Sequence, residues 1–139
     1  MRVFFVVLAR DASAVDRKIK ELNGLGFPYV IVCGERVDQR NVVYREPRGK
    51  FDALNCGFGY VPAETDVVVF NDVDTEIHDF DCALRLLRDD TVSFVFVKVR
   101  VASGPQQVFY SFLDSVRRRI PIAASGELML MRSEFFHKI

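Results

Sequence analysis

The residues with the most evident chemistry are Asp72 and Asp74, in "DVVVFNDVDTEI" from Asp66 to Ile77, where a mostly β-branched run breaks into acidic residues on alternate positions. In an extended segment alternate side chains share a face, so Asp72 and Asp74 point the same way, with Glu76 beside them if the extension persists. Like charges so placed repel unless a cation or strong donors lie between them. Hard carboxylate oxygens suit Mg2+ or Mn2+, which take one or two carboxylates and complete their coordination with water and phosphate oxygens. A nucleoside diphosphate held through such a metal is a good leaving group, because the cation neutralises the charge that develops on it. The tripeptide alone is a weak signal, since the chain has twelve aspartates and a second D-x-D at Asp79-Phe80-Asp81. Its meaning depends on the elements around it.

Those elements alternate between strand and helix. "RVFFVVLA" is a continuous apolar run suited to a strand covered on both faces. Ser13 then stands as a helix cap with Asp16 at the third position, Val15, Ile19 and Leu22 form the apolar stripe, and Gly24 closes the helix. "FPYVIVCG" reads as a second buried strand and "NVVYRE" as a short third. Pro47 and Gly49 precede a helical pattern from Phe51 through Ala53, Leu54 and Phe58, and "DVVVFND" is the fourth strand. A helix over residues 79 to 88 buries Phe80, Ala83, Leu84 and Leu87, with Asp79 and Asp81 as capping carboxylates at its start. "TVSFVFVKVRVA" predicts a long strand, and residues 105 to 120 an amphipathic helix through Val108, Phe109, Phe112, Leu113, Val116 and Ile120. "ELMLM" is a last short strand, and "SEFFHKI" begins something helical.

This order predicts an α/β protein, a three-layer α/β/α sandwich with a mostly parallel central sheet. In such sheets ligands bind beyond the carboxyl ends of the strands, near the point where strand order reverses. Three strands end there in polar or flexible residues: Arg10-Asp11, Cys33-Gly34-Glu35 and Asn71 to Asp74. Arg45, Arg48 and Lys50 precede a helix N-terminus, where amide dipoles also favour anions. A metal-bound nucleotide fits that convergence.

Composition narrows the rest. The 139 residues fit one domain, half hydrophobic with 27% charged, which is globular and large enough for a genuine core. Lys plus Arg and Asp plus Glu balance at 19 each, so no overall field argues for nucleic acid or an anionic membrane. Cys33, Cys56 and Cys82 lack the spacing of a zinc site or a disulfide framework, and as reduced thiols they point to a cytoplasmic protein. Arg2, the apolar run to Ala9 and Ala12 to Ala14 superficially echo a signal peptide, but Arg10 and Asp11 interrupt it and a buried strand explains the run better. No transmembrane segment is evident, since no apolar stretch approaches the roughly 20 residues that span a bilayer.

"GKFDALNCGF" followed by "DVVVFNDVDTEI" resembles the paired segments of inverting family 2 glycosyltransferases of the GT-A fold. There a Gly-Lys-x-x-Ala-Leu-Asn-x-Gly stretch precedes a hydrophobic strand ending in D-x-D. The resemblance extends over nearly the whole chain, with "VVLARD" at the end of the first strand and "ASGELMLMRSEFF" in place of the acceptor-side strand. It implies a single nucleotide-sugar-binding domain over residues 1–139 and a hexosyltransferase-type activity on a nucleotide-sugar donor and an unknown acceptor. Asp74 would coordinate Mg2+ or Mn2+, and Asp72 would contact the ribose or assist the metal. Lys50 would lie near the base or ribose, Asp52 and Asn55 would line or brace the same pocket, and Ala9 would offer backbone contacts to the base.

The departures from the family pattern are equally specific. Where the family carries an Asp-Asp-Gly-Ser-like turn that recognises uracil, this chain has Cys33-Gly34-Glu35, leaving Glu35 or Asp38 as substitutes. No Q-x-x-R-W motif is present, and the chain reaches Ile139 close to where the family continues to the region of its catalytic base. An inverting transferase needs a base within hydrogen-bond reach of the acceptor hydroxyl. Glu127 and His137 are the late candidates, and neither can be assigned that role, so the catalytic residue is unknown. The readings that stand are a donor-binding portion whose catalytic remainder lies elsewhere, a minimal transferase completed by another subunit or by the acceptor, or a non-catalytic nucleotide-sugar-binding module, a homo-oligomer or the partner subunit of a larger enzyme. A sugar nucleotidyltransferase is disfavoured, because "LARDASAV" lacks the glycines of a phosphate loop.

Overall fold

The computed structural model describes residues 1–96, 108, 112 and 128–136. Strand β1 (Val3–Ala9) lies inside the sheet, and its sequence explains why. Val3, Phe5, Val7 and Ala9 face one hydrophobic core while Phe4 and Val6 face another, so both sides of the strand are covered and no polar residue is tolerated on either. β2 (Tyr29–Cys33) and β4 (Val67–Asp72) flank β1, both parallel to it, and β3 (Val42–Tyr44) lies parallel to β2. β6 (Leu128–Arg132) runs antiparallel to β4, and β5 (Phe94–Phe96) antiparallel to β6. The sheet order is β3-β2-β1-β4-β6-β5, a mostly parallel sheet whose order reverses at β1.

Helices cover both faces, giving three layers. On one side α1 (Val15–Leu25) contributes Val15 and Leu22, and α3 (Phe80–Leu86) contributes Phe80 and Ala83, with Leu87 just beyond it. Phe5, Phe27 and Phe80 meet there at ring-centroid distances of 5.9, 5.1 and 5.5 Å, in the range of favourable aromatic packing. On the other side α2 (Lys50–Phe58) packs Leu54 and Phe58 over Val6, Val30 and Val68. A Cβ on Gly57 would stand 2.4 Å from Val6 Cγ1. Glycine at that position is what lets α2 sit directly on the sheet. The short α4 (Ser133–Phe136) follows β6.

Three local expectations are corrected. Ser13 does not cap α1: its N–H and hydroxyl both donate to Asp11 Oδ1, and the cap position falls on Ala14 with no side-chain bond. The Asp11 turn holds Ser13 one residue before the cap position, an instance of local side-chain bonding competing with the helix. Nor does Gly24 end the helix, which continues to Leu25 and closes on Gly26 in the left-handed conformation, φ 78°. Asp79 precedes α3 with φ 54° and makes no capping hydrogen bond through its side chain. The long strand predicted from residue 91 is described only over Phe94–Phe96. The helix predicted over residues 105 to 120 lies outside the described residues except Val108 and Phe112, which are helical and exposed.

Candidate functional site

The carboxyl ends of β1, β2 and β4 open into a cleft of about 450 Å3, within the range of small-molecule sites. It lies where the strand order reverses, which is where ligands bind in open parallel sheets. Leu8, Ala9 and Arg10 come from β1 and its end, Val32 and Gly34 from β2 and its end, and Asp72, Val73 and Asp74 from the end of β4. Arg45, Glu46, Pro47 and Gly49, with Lys50 and Ala53 of α2, form the opposite side. A Cβ on Gly34 would lie 2.5 Å from the Arg10 carbonyl, and the Gly34 N–H donates to the Ala9 carbonyl at 3.0 Å. The first two strand ends are thus drawn together without side chains between them.

The acidic pair stands on a turn. Val73 N–H donates to the Leu8 carbonyl at 2.9 Å, continuing the attachment of β4 to β1, and Thr75 N–H donates to the Asp72 carbonyl at 3.1 Å. That turn ends the extension, and Glu76 is exposed outside the described lining, 3.5 Å from His78. Asp72 is half-buried and its Oδ2 accepts from Lys50 Nζ at 3.1 Å, while Asp74 is exposed to the cleft. Lys50 reaches Asp72 because it is the first residue of α2, aimed back at the strand end.

A second ion pair shapes the opposite side. Arg45 donates through Nε and Nη2 to both oxygens of Asp52, at 2.9 and 3.0 Å, the bidentate geometry that fixes a guanidinium in its plane. The hydrogen bond from Arg45 holds the Asp52 carboxyl below the usual carboxylate range. Arg45 lines the cleft and Asp52 braces it from behind. Sequence reasoning counted Arg45 as one of three cations and missed this pairing, because the partners stand seven residues apart across a turn.

Of the residues singled out in the sequence, Ala9, Lys50, Asp72 and Asp74 meet in the cleft. Glu35, Asp52 and Asn55 stand outside its described lining: Glu35 and Asn55 are exposed, and Asp52 acts through Arg45. Asp38 is exposed in the loop after β2, and Glu127 and His137 lie outside the described residues. Arg132, in the stretch that resembles an acceptor-side strand, is engaged in the fold. It donates to the carbonyls of Leu87, Asp89 at 3.0 Å and Val92 at 2.9 Å, tying β6 to the segment after α3.

The donor set at the end of β4 fits a divalent cation of the hard class. Asp72 and Asp74 supply two carboxylates, the number that Mg2+ or Mn2+ takes from protein when phosphate and water complete the shell. Among the described residues no group of three or more His, Cys, Asp or Glu side chains converges on a site that could hold a metal ion by itself. Also among the described residues, no helix is long and apolar enough to cross a membrane.

Neither a family model nor a curated protein matches the sequence. The structure is similar to that of the mannosyltransferase PcManGT from Pyrobaculum calidifontis, solved in complex with GDP-Man and Mn2+, with a TM-score of 0.72 and 23% identity. That similarity covers 99% of this chain and 46% of the mannosyltransferase, so the chain spans about half its length. A weaker similarity, TM-score 0.56 at 14% identity over 100% of this chain and 69% of the other, joins it to A197 from STIV. These likenesses show a shared fold.

Proposed function

We propose that this chain is the donor-binding domain of an inverting glycosyltransferase similar to family 2, with Mg2+ or Mn2+ held at Asp72 and Asp74 and a nucleotide sugar in the cleft. The observation that carries the reading is the juxtaposition, at the reversal point of a glycosyltransferase fold, of an acidic turn with Lys50 and Arg45 in one cleft. A nucleoside diphosphate sugar has the complementary parts. Its diphosphate meets Lys50, the metal at Asp72 and Asp74, and the N-terminal amides of α2, and its base enters between Ala9, Gly34 and Arg45, where backbone groups and a fixed guanidinium supply polar contacts. When bound, the metal neutralises the charge of the departing nucleoside diphosphate. Lys50 adds a second positive charge on the same side, and the apolar Leu8, Val32 and Val73 restrict water around it.

The second reading, a nucleotide-sugar-binding module or subunit without transfer, draws on a different observation. In the described lining the carboxylates other than Asp72 and Asp74 reduce to Glu46, which accepts from Arg48 at 3.2 Å. That scarcity of carboxylates among the described residues supports a reading of donor binding without a base of the chain's own. Val108 and Phe112, helical and exposed, suit contact with another subunit.

Calorimetric titration with GDP- and UDP-sugars, with and without Mn2+, on the native protein and on Asp74→Ala, tests both. Metal-dependent binding lost in the variant, together with slow release of sugar to water, supports the transferase. Binding with no turnover on any acceptor supports the module. No nucleotide binding under any condition overturns both.

A further inference from the structure

Lys18 occupies a position normally given to an apolar side chain. It lies on α1 in the same stripe as Val15 and Leu22 and is 2% exposed. Its ammonium donates to Glu21 Oε1 at 2.7 Å and to the Thr75 carbonyl at 2.7 Å. Burial lowers its pKa, opposed by the hydrogen bond and charge of Glu21 and, more weakly, by the charge of Asp74. Burying a lysine costs free energy that a leucine in the stripe would not, so the contact made at the far end of the side chain identifies its role.

That contact is with the acidic turn. The Thr75 carbonyl also accepts from Asn71 Nδ2 at 3.3 Å, and Val73 is tied to Leu8 on the other side of Asp74. Asp74 is therefore the tip of a turn fastened at both ends, one end to β1 and the other to α1 through Lys18. We propose that Lys18 is a positioning residue for the divalent metal, anchoring the Thr75 carbonyl so that Asp74 is presented to the cleft. The inference rests on the metal reading above. Glu21, at 2.7 Å, cancels most of the ammonium's charge, so Lys18 acts as a hydrogen-bond donor and not as a positive charge repelling the cation.

The test is Mn2+ affinity, read from loss of the free-ion electron paramagnetic resonance signal in the presence of GDP and, separately, UDP. The variant Lys18→Met with Glu21→Gln removes the anchor without leaving a lone buried charge, and its dissociation constant for Mn2+ should rise about tenfold, the effect of losing one charge-assisted hydrogen bond. Leu22→Ala, a cavity in the same helix, should lower the melting temperature while holding the Mn2+ constant within about twofold. An unchanged constant in the first variant, or an equal rise in both, overturns the proposal. Should the variants fail to fold, the side-chain ammonium resonance of Lys18 in the native protein should shift on addition of Mg2+ and GDP, and a resonance that stays in place overturns it equally. Asp74→Asn separates the two levels. If it abolishes Mn2+ binding while the Lys18 variant does not weaken it, only the anchoring role fails; if Asp74→Asn leaves Mn2+ affinity unchanged, the metal reading fails and this inference with it.

Discussion

The chain contains the same tripeptide pattern twice within ten residues, and the two copies do different things. Asp72-Val73-Asp74 ends a buried strand, with both carboxylates lining a cleft and Val73 packed against the core. Asp79-Phe80-Asp81 starts a helix, with both carboxylates exposed and Phe80 5% exposed between them. In the first copy the acidic residues face the cleft and the middle residue attaches them to the core. In the second the middle residue is the purpose and the acids are its solvated flanks. A motif of two carboxylates thus takes its meaning from whether the backbone sends them toward a concavity or toward open solvent.

The largest way to press that contrast is Phe80→Ala, which removes a ring packed tilted against Phe5 and edge-on to Phe27 and should cost about 3 to 5 kcal/mol in chemical denaturation. Mn2+-dependent nucleotide affinity of the molecules that remain folded should not change. Next, Lys50→Met removes the cation 3.1 Å from Asp72. GDP affinity without metal should fall about tenfold in calorimetry, and by less with Mn2+ present, because Asp72 is then released from Lys50 to the metal.

A smaller effect concerns carboxylates away from Asp72 and Asp74. Asp66 accepts the backbone N–H of Arg2 at 2.7 Å and Asp89 that of Thr91 at 2.9 Å, and with Asp11 and Asp52 they are held below the ordinary value of 3.8. Groups with lowered folded values contribute stability that is complete above the unfolded value and lost as pH falls through the folded one, so the melting temperature should hold steady down to about pH 5 and decline below about pH 4. Asp66→Asn should flatten that decline. The smallest effect is expected of Asp81→Asn, within about 0.5 kcal/mol in stability and without consequence for Mn2+ binding. A large effect there would erase the distinction between the two copies.

The strands were legible because burial on both faces leaves a continuous apolar run, as in Val3–Ala9 and in β4 from Val67 to Phe70. Helix ends were less so, since Ser13 is held in a turn with Asp11 and the cap position of α1 falls one residue later on Ala14, a matter of register that residue type alone does not decide. In the cleft, Asp72, Asp74 and Lys50 could be found because each sits at the junction of an element with a loop. The Arg45 and Asp52 pair could not, because it depends on how α2 is turned against β3. Lys18 did carry a signal: it stands three residues after Val15 and four before Leu22, so a lysine interrupts an apolar stripe at one of the stripe's own positions.

The close seat of α2 at Gly57 bears on how this cleft can diversify. Gly57 fastens the helix to Val6 seven residues beyond Lys50, about 10 Å along the axis. The anchor and the cleft-facing end are separate, and the segment from Arg45 to Gly49 that completes the wall lies outside both hydrophobic cores. Changes in the length or sequence of that segment would reshape the cleft while the helix stays docked, so the cleft can vary in this scaffold without eroding the stability of the sheet beneath it.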